Sequence, residues 1–281
     1  MTVPEIADEQ GESQSDSFYY NAEFYDIYTS KYMIDPTDTR IYFDQLRASH
    51  RQPIVLDVAT GTGRIIKGLI EHATQVGHDW SQTTLIGLDN SAPMLDRARK
   101  SILAPKAGNL TWMLGSAFEL EAALTGMPLP VSAVDLLILS FGTITHFTVA
   151  GQGQQFFNQV AKVLRPGSGR AAVSFYRSFE KTGQPVRLPG PADTGRIPSQ
   201  QRPGITYQEV LLETNTLDDV YKESRQITVR DHDTVLEQNV VTTECGLWTE
   251  EMVKRMTDVA GLRGLYQVVL PTELIWVFER S

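Results

Sequence analysis

The sequence predicts an α/β fold built on a mostly parallel sheet, and three observations predict it. Strand-like and helix-like segments alternate from residue 53 to residue 176, an order that leads to right-handed crossovers between parallel strands. The run "AVDLLILS" (133–140) is apolar almost without a break, as a strand buried on both faces would be. With 281 residues, 41% of them hydrophobic, the chain can bury a full core unaided.

Residues 1–17 carry Asp, Glu, Gln and Ser with little to bury, the composition of a disordered tail. In "FYYNAEFYDIYTSKYM" the aromatics Phe18, Tyr19, Tyr20, Phe24, Tyr25, Tyr28 and Tyr32 fall mostly on one helical side, so a helix with a core-facing stripe is expected. Asp35-Pro36 breaks it, and residues 37–50 suit a second helix, the two forming an N-terminal helical cap over 18–50. "PIVLDV" (53–58), "TLIGLD" (84–89), "NLTWMLG" (109–115), "AVDLLILS" (133–140) and "GRAAVSFY" (169–176) read as successive strands. Helices are expected after Gly63, from a cap at Ser91, over "AFELEAAL" and over "GQQFFNQVAKVL", the last stopped by Arg165-Pro166-Gly167.

The rhythm changes after Tyr176. Residues 177–206 contain five prolines, too irregular for a short connection. "TYQEVLLETN", "VYKESRQITVRD" and "TVLEQNVVTTEC" then alternate apolar and polar residues, as a half-exposed antiparallel patch does. Thr249 opens a helix that Gly261 ends, and "LYQVVLP" and "ELIWVFE" suit a closing hairpin. This divides the chain into a core over 51–176, a lid or substrate insertion over 177–246, and a C-terminal return to the core over 247–281.

A formal net charge of -9 argues against nucleic acid and anionic membranes as partners. Cys245 is the only cysteine, so no intramolecular disulfide or cysteine-rich metal site is expected. No segment reaches the roughly 20 apolar residues of a membrane span, and the polar, acidic N-terminus is unlike a secretion signal. The expectation is a cytoplasmic protein with a small-molecule partner.

"VLDVATGTGR" (55–64) poses the functional question, because a strand ending in Asp57 runs into Gly61-Thr62-Gly63, a turn that lets backbone approach a nucleotide. The dinucleotide fingerprint wants a third glycine, but that position is Ile66. No phosphate loop is present either. The stretch resembles instead the first motif of the class I S-adenosylmethionine (SAM)-dependent methyltransferases. "LIGLDNSAPMLDRARK" resembles their second strand, with an acid at its tip; "MLGSAFEL", "VDLLILSFGTITHF" and "FFNQVAKVLRPGSGRAAVSFY" resemble the third, fourth and fifth, and the likeness resumes weakly in "LWTEEMVKRMTDVAGL".

The resemblance implies a Rossmann-like class I methyltransferase fold, with a seven-stranded mostly parallel sheet, helices on both faces and an antiparallel strand insertion as lid. It also implies SAM as cofactor and no metal. Asp57, Ala59, Gly61 and Gly63 would surround the methionine portion, with Tyr20 or Tyr25 near its carboxylate. Asp89 would take the ribose hydroxyls, with Asn90 and Met94 in the same segment. Asp89 also suits a capping role at the following helix. Ser116 stands where the family often has an acid, and Ser116 and Ala117 would meet adenine; Ser140 would line the far side.

His146 lies six residues past the fourth strand and is the candidate catalytic base. His50, His72, His78 and His232 are assigned to the surface, and Arg177, Arg187, Arg196 and Arg202 either to a substrate acid or to solvent. "SFGT" (140–143) differs from the Asn/Asp-Pro-Pro-aromatic motif of base-modifying methyltransferases. The expected reaction is methyl transfer to O, N, S or C of a small organic molecule, such as a secondary metabolite. Two alternatives stand beside it: a methyltransferase-like protein that binds SAM and catalyses a cyclisation or rearrangement, and a nicotinamide oxidoreductase, disfavoured by Ile66.

Overall fold

The apolar runs pair into one sheet in the computed structural model, which describes residues 22–32, 38–46, 52–79, 81–102, 109–130, 132–180 and 187–281. The tail 1–17, Phe18, Tyr19, Tyr20 and His50 lie outside the described residues. Two helices, α1 (Ala22–Tyr32) and α2 (Asp38–Leu46), precede strand β1 (Ile54–Val58). Then follow α3 (Arg64–Gln75), β2 (Thr84–Asp89), α4 (Ala92–Ser101), β3 (Asn109–Leu114), α5 (Leu120–Thr125), β4 (Leu136–Leu139), α6 (Gln152–Val163) and β5 (Arg170–Tyr176). After the insertion come α7 (Glu250–Ala260), β10 (Leu262–Val269) and β11 (Glu273–Arg280).

The sheet order is β10-β11-β5-β4-β1-β2-β3. The pairs β1–β2, β1–β4, β4–β5 and β2–β3 are parallel, while β11 runs antiparallel to both β5 and β10. β1 and β4 are buried along their whole length, as their unbroken apolar sequences require. Phe156, Phe157 and Val160 of α6 pack on one face with Trp276 and Phe278; Tyr42, Phe43, Ile65 and Leu69 of α2 and α3 pack on the other. From β1 the chain builds towards β2 and later returns to β4 on β1's other side, which opens a crevice at the carboxyl ends of these strands. No helix among the described residues is long and apolar enough to cross a membrane.

The insertion forms a second, antiparallel sheet. A two-residue strand β6 (Ile197–Pro198), too short to be read from sequence, precedes the long β7 (Ile205–Leu217), β8 (Val220–Asp231) and β9 (Thr234–Gly246). α1 covers part of it, with Phe24, Ile27 and Tyr28 against Tyr207, Ile227, Val229 and Val241. The expected aromatic stripe is therefore core at Phe24 and Tyr28.

Local signals mostly act as expected. Thr249 accepts the Met252 N–H at 3.1 Å to open α7, and Gly261 ends it at φ 75. Ser91 occupies the N-cap of α4, but its side chain makes no cap bond; the Asp89 carboxylate accepts the Ser91 N–H instead, at 2.9 Å. His78 is exposed, as assigned, and His72 is half-buried; both stand edge-on to the buried Phe43 ring, at 5.3 and 4.8 Å. His232 is exposed.

Arg165, in the turn after α6, ties the sheet's lower edge together. Its guanidinium donates to Asp135 Oδ1 at 2.7 Å, Asp135 Oδ2 at 3.3 Å and the Ala133 carbonyl at 3.1 Å, while Asp135 Oδ2 also accepts the Ile54 N–H at 2.9 Å. Asp135 is buried and the Arg165 side chain is 33% exposed. Arg165→Ala strands a buried carboxylate, so a stability loss of about 2 to 3 kcal/mol is expected, discounted from the full buried-pair range for that exposure. Urea unfolding of the variant measures it.

Candidate active site

The crevice is a cavity of about 670 Å³. One wall is made by the turns that follow β1, β2, β3 and β4; α1 and the second sheet make the others. In the turn after β1, Gly61 and Gly63 sit at φ +56 and +83, the left-handed region that glycine enters without strain. A Cβ on Gly61 would meet only Tyr25 Cε1, at 4.0 Å, so this side of the turn opens into the cavity. Ala59 and Phe141, after β1 and β4, hold φ 54 and 61 without being glycine. Such strain gathers where a site over-determines the backbone.

Asp89 fixes the turn from the next strand. Its Oδ2 accepts the Gly61 N–H at 2.7 Å and its Oδ1 the Ser91 N–H at 2.9 Å. Burial raises its pKa against the pull of those N–H groups. The capping role expected of it is real, and the backbone N–H groups leave lone-pair capacity on the carboxylate for a ligand. Asp57 is buried behind the turn. Its Oδ2 accepts the Thr60 hydroxyl at 2.5 Å, its Oδ1 has no hydrogen-bond partner among the described residues, and burial pushes its pKa up to about 7, against the opposing pull of Thr60 and Arg64.

Of the residues singled out from sequence, Tyr25, Ala59, Gly61, Asp89, Asn90, Met94, Ser116, Ala117 and His146 line the cavity. Asp57, Gly63 and Ser140 are not among its lining: Gly63 packs on Ile102 and Trp112, and the Ser140 carbonyl accepts the Thr143 hydroxyl. Ser116 Oγ accepts the Phe118 N–H at 3.1 Å, which shapes the third turn. Arg177, Arg187, Arg196 and Arg202 stay off the cavity wall; Arg196 pairs with Asp233 and Arg202 donates to the Tyr207 hydroxyl.

His146 ends a short 3-10 turn, Thr143–His146. Its Nδ1 lies 3.3 Å from the Glu244 carbonyl and 3.7 Å from Cys245 Sγ. A carbonyl only accepts, so Nδ1 carries the proton and Nε2 the lone pair. Burial holds its pKa below the ordinary histidine value, so the ring is neutral at pH 7. Burial also pushes the Cys245 thiol up to about 12, which leaves it protonated and unsuited as a nucleophile.

The sequence reading missed one wall. Glu209 of β7 and Glu223 and Arg225 of β8 are buried and line the cavity. A signal existed: in β8, Glu223 and Arg225 occupy the same alternation as the apolar Tyr221, Ile227 and Val229, so charges sit on the inward face.

SAM carries two positive centres beside a ribose diol and an adenine. An open glycine turn and an Asp89 carboxylate with lone pairs facing the cavity fit those features, with the negative charge of the buried Asp57 behind the turn. The sequence pattern of the methyltransferase domain family matches residues 55–167, the segment that builds this wall. Residues 55–167 form a methyltransferase domain, and the chain is a SAM-dependent methyltransferase enzyme. The methyltransferase is 29% identical over 252 residues to the N-methyltransferase FrzE of a Cladobotryum species, covering 85% of this chain and 84% of that protein. Its fold matches that of a SAM-dependent methyltransferase from Clostridium acetobutylicum (TM-score 0.64, 15% identity, 94% of this chain and 99% of that one). It also matches SAM-bound CalS10, an amino pentose methyltransferase from Micromonospora echinaspora (0.62, 17%, 92% and 96%), and the sugar N-methyltransferase KedS8 from a Streptoalloteichus species (0.61, 17%, 100% and 98%). These likenesses place the enzyme in the Rossmann-like class I fold, with SAM as its cofactor.

Proposed function

We propose that this small-molecule methyltransferase acts on a nitrogen, in the biosynthesis of a secondary metabolite. The observation that carries the reading is the charge of the cavity. Four carboxylates line it, Asp89, Glu209, Glu223 and Glu244, against two cations, Lys222 and Arg225. An acidic pocket favours a cationic acceptor, and an amine is the acceptor that arrives as a cation. The relatives FrzE, an N-methyltransferase, and KedS8, a sugar N-methyltransferase, support the same direction.

In this reading Asp89 receives the ribose hydroxyls, while Tyr25, Ala59 and Gly61 flank the methionine portion with Asp57 behind them. Asn90, Met94, Ser116 and Ala117 border the adenosine, and Gly63 and Ser140 shape the wall from behind. When bound, SAM supplies an electrophilic methyl group on a sulfonium. The acceptor nitrogen's lone pair forms the new N–C bond as the C–S bond breaks, its electrons leaving with sulfur to give S-adenosylhomocysteine. His146 Nε2 receives the proton that nitrogen must shed. Alignment and exclusion of water supply the rest.

The test is a panel of small primary and secondary amines, each with its alcohol isostere, incubated with SAM and analysed by mass spectrometry. Methylated amine appearing together with S-adenosylhomocysteine is expected. Methylation of the alcohols in preference to the amines overturns the nitrogen assignment.

A further inference from the structure

The buried charges of the second sheet do not balance. Glu209 faces Ile227 in the β7–β8 register, which sets Arg225 on the neighbouring diagonal, and Glu223 follows on the same side of β8. Arg225 donates from Nε to Glu223 Oε1 at 2.5 Å and from Nη1 to the Pro191 carbonyl at 3.0 Å. Glu223 Oε2 accepts the Tyr221 hydroxyl at 2.6 Å. These two side chains satisfy each other.

Glu209 is the remainder. Its Oε2 lies 3.5 Å from Arg225 Nη1, is buried, and has no hydrogen-bond partner among the described residues. The residue is 2% exposed, yet it borders the cavity. Among the described residues the other cation on that wall is Lys222, which is engaged at 2.9 Å with Glu244. One guanidinium against two carboxylates leaves one negative charge in excess, and an excess charge out of water is costly unless a cation completes it.

Resting on the reading of the enzyme as a nitrogen methyltransferase, we propose that Glu209 is the acceptor's docking point and binds the ammonium of an amine substrate. Arg225, itself oriented by Glu223, then holds the Glu209 carboxylate in place. Tyr28 of α1, whose hydroxyl bonds Glu209, closes the subsite from the helical side. Phe141 and Tyr176 add aromatic faces to the same cavity, which suits an amine borne on an apolar skeleton.

The subsite has a pH signature. Burial pushes Glu209 up to about 7; Arg225 opposes this, Glu223 adds to it, and Tyr28 is itself raised by burial and remains a neutral donor. Below pH 7 Glu209 is protonated and ammonium binding weakens; above it the carboxylate is charged and binding is full.

Calorimetry on the enzyme saturated with S-adenosylhomocysteine tests this, with 2-phenylethylamine and its neutral isostere 2-phenylethanol as probes. The amine is expected to bind the wild type at least about 10-fold more tightly than the alcohol, and Glu209→Gln to reduce amine affinity about 10- to 100-fold while leaving the alcohol within about 2-fold. The amine's loss of affinity below pH 7 disappears in the same variant. A merely structural role for Glu209 would lower the unfolding temperature without changing the preference between probes. Equal affinity of the two probes, no binding of the amine, or a preference that survives Glu209→Gln overturns the proposal. The nitrogen reading fails separately, on a methyl group found on oxygen in the amine and alcohol panel.

Discussion

Asp89→Ala is expected to weaken SAM and S-adenosylhomocysteine binding about 100-fold or more. Each hydrogen bond to a charged group contributes about 1.5 to 3 kcal/mol, so losing the two that a ribose diol would make costs about 3 to 6 kcal/mol, and each 1.4 kcal/mol is tenfold in affinity. A second loss adds to the first. Asp89 anchors the Gly61 N–H at 2.7 Å and the Ser91 N–H at 2.9 Å, so its removal also frees the glycine turn that borders the methionine portion. Asp89→Asn separates the two effects. Its amide oxygen can still take one backbone N–H, but it brings no charge, and it should fall between wild type and alanine. Calorimetric titration with both sulfur ligands decides, alongside circular dichroism to show that the sheet is intact. An Asp89→Ala variant that binds them as the wild type does would remove Asp89 from the cofactor site.

The cavity wall made by the turns after β1 and β2, proposed here to hold the cofactor, could be read from sequence because its demands are local. A strand that must end in a turn open to a ligand needs Gly61, where only Tyr25 stands near the Cβ position, and an acid at the tip of the next strand must be Asp89, since β1 and β2 are parallel neighbours. The opposite wall obeys no such local rule. Glu209 meets Arg225 only because β7 and β8 pair in one register, and both reach the cavity because α1 covers part of that sheet and leaves the rest open. The inward charges at Glu223 and Arg225 were visible as a breach of alternation, but their partner lay a hairpin away. The half-burial of His72 escaped for the same reason, because the ring it flanks, Phe43, belongs to a helix some thirty residues earlier. β6, at two residues, carries too little sequence to read.

His146→Ala is expected to lower kcat about 100-fold or more, in line with the loss of a positioned proton acceptor, while leaving the affinity for S-adenosylhomocysteine unchanged. The pH dependence distinguishes this from a packing defect. In the wild type the neutral ring is the active form, and burial holds its pKa below the ordinary value, so kcat should be level through neutrality and fall only in acid as the ring gains a proton. Without the ring, the acceptor must lose its proton to water. The rate of the variant should then climb with pH through the neutral range towards the amine's own pKa, about 9 to 10 by analogy with lysine. Glu209 acts at a different point, since its carboxylate titrates near 7 and governs whether the ammonium binds, so its acid limb belongs to KM. The two groups therefore predict two limbs in two parameters, and each substitution should erase one. A His146→Ala enzyme with a wild-type kcat profile would assign the proton to another acceptor in the cavity, and the Glu244 contact of the imidazole would then serve only to join the β4 loop to the second sheet.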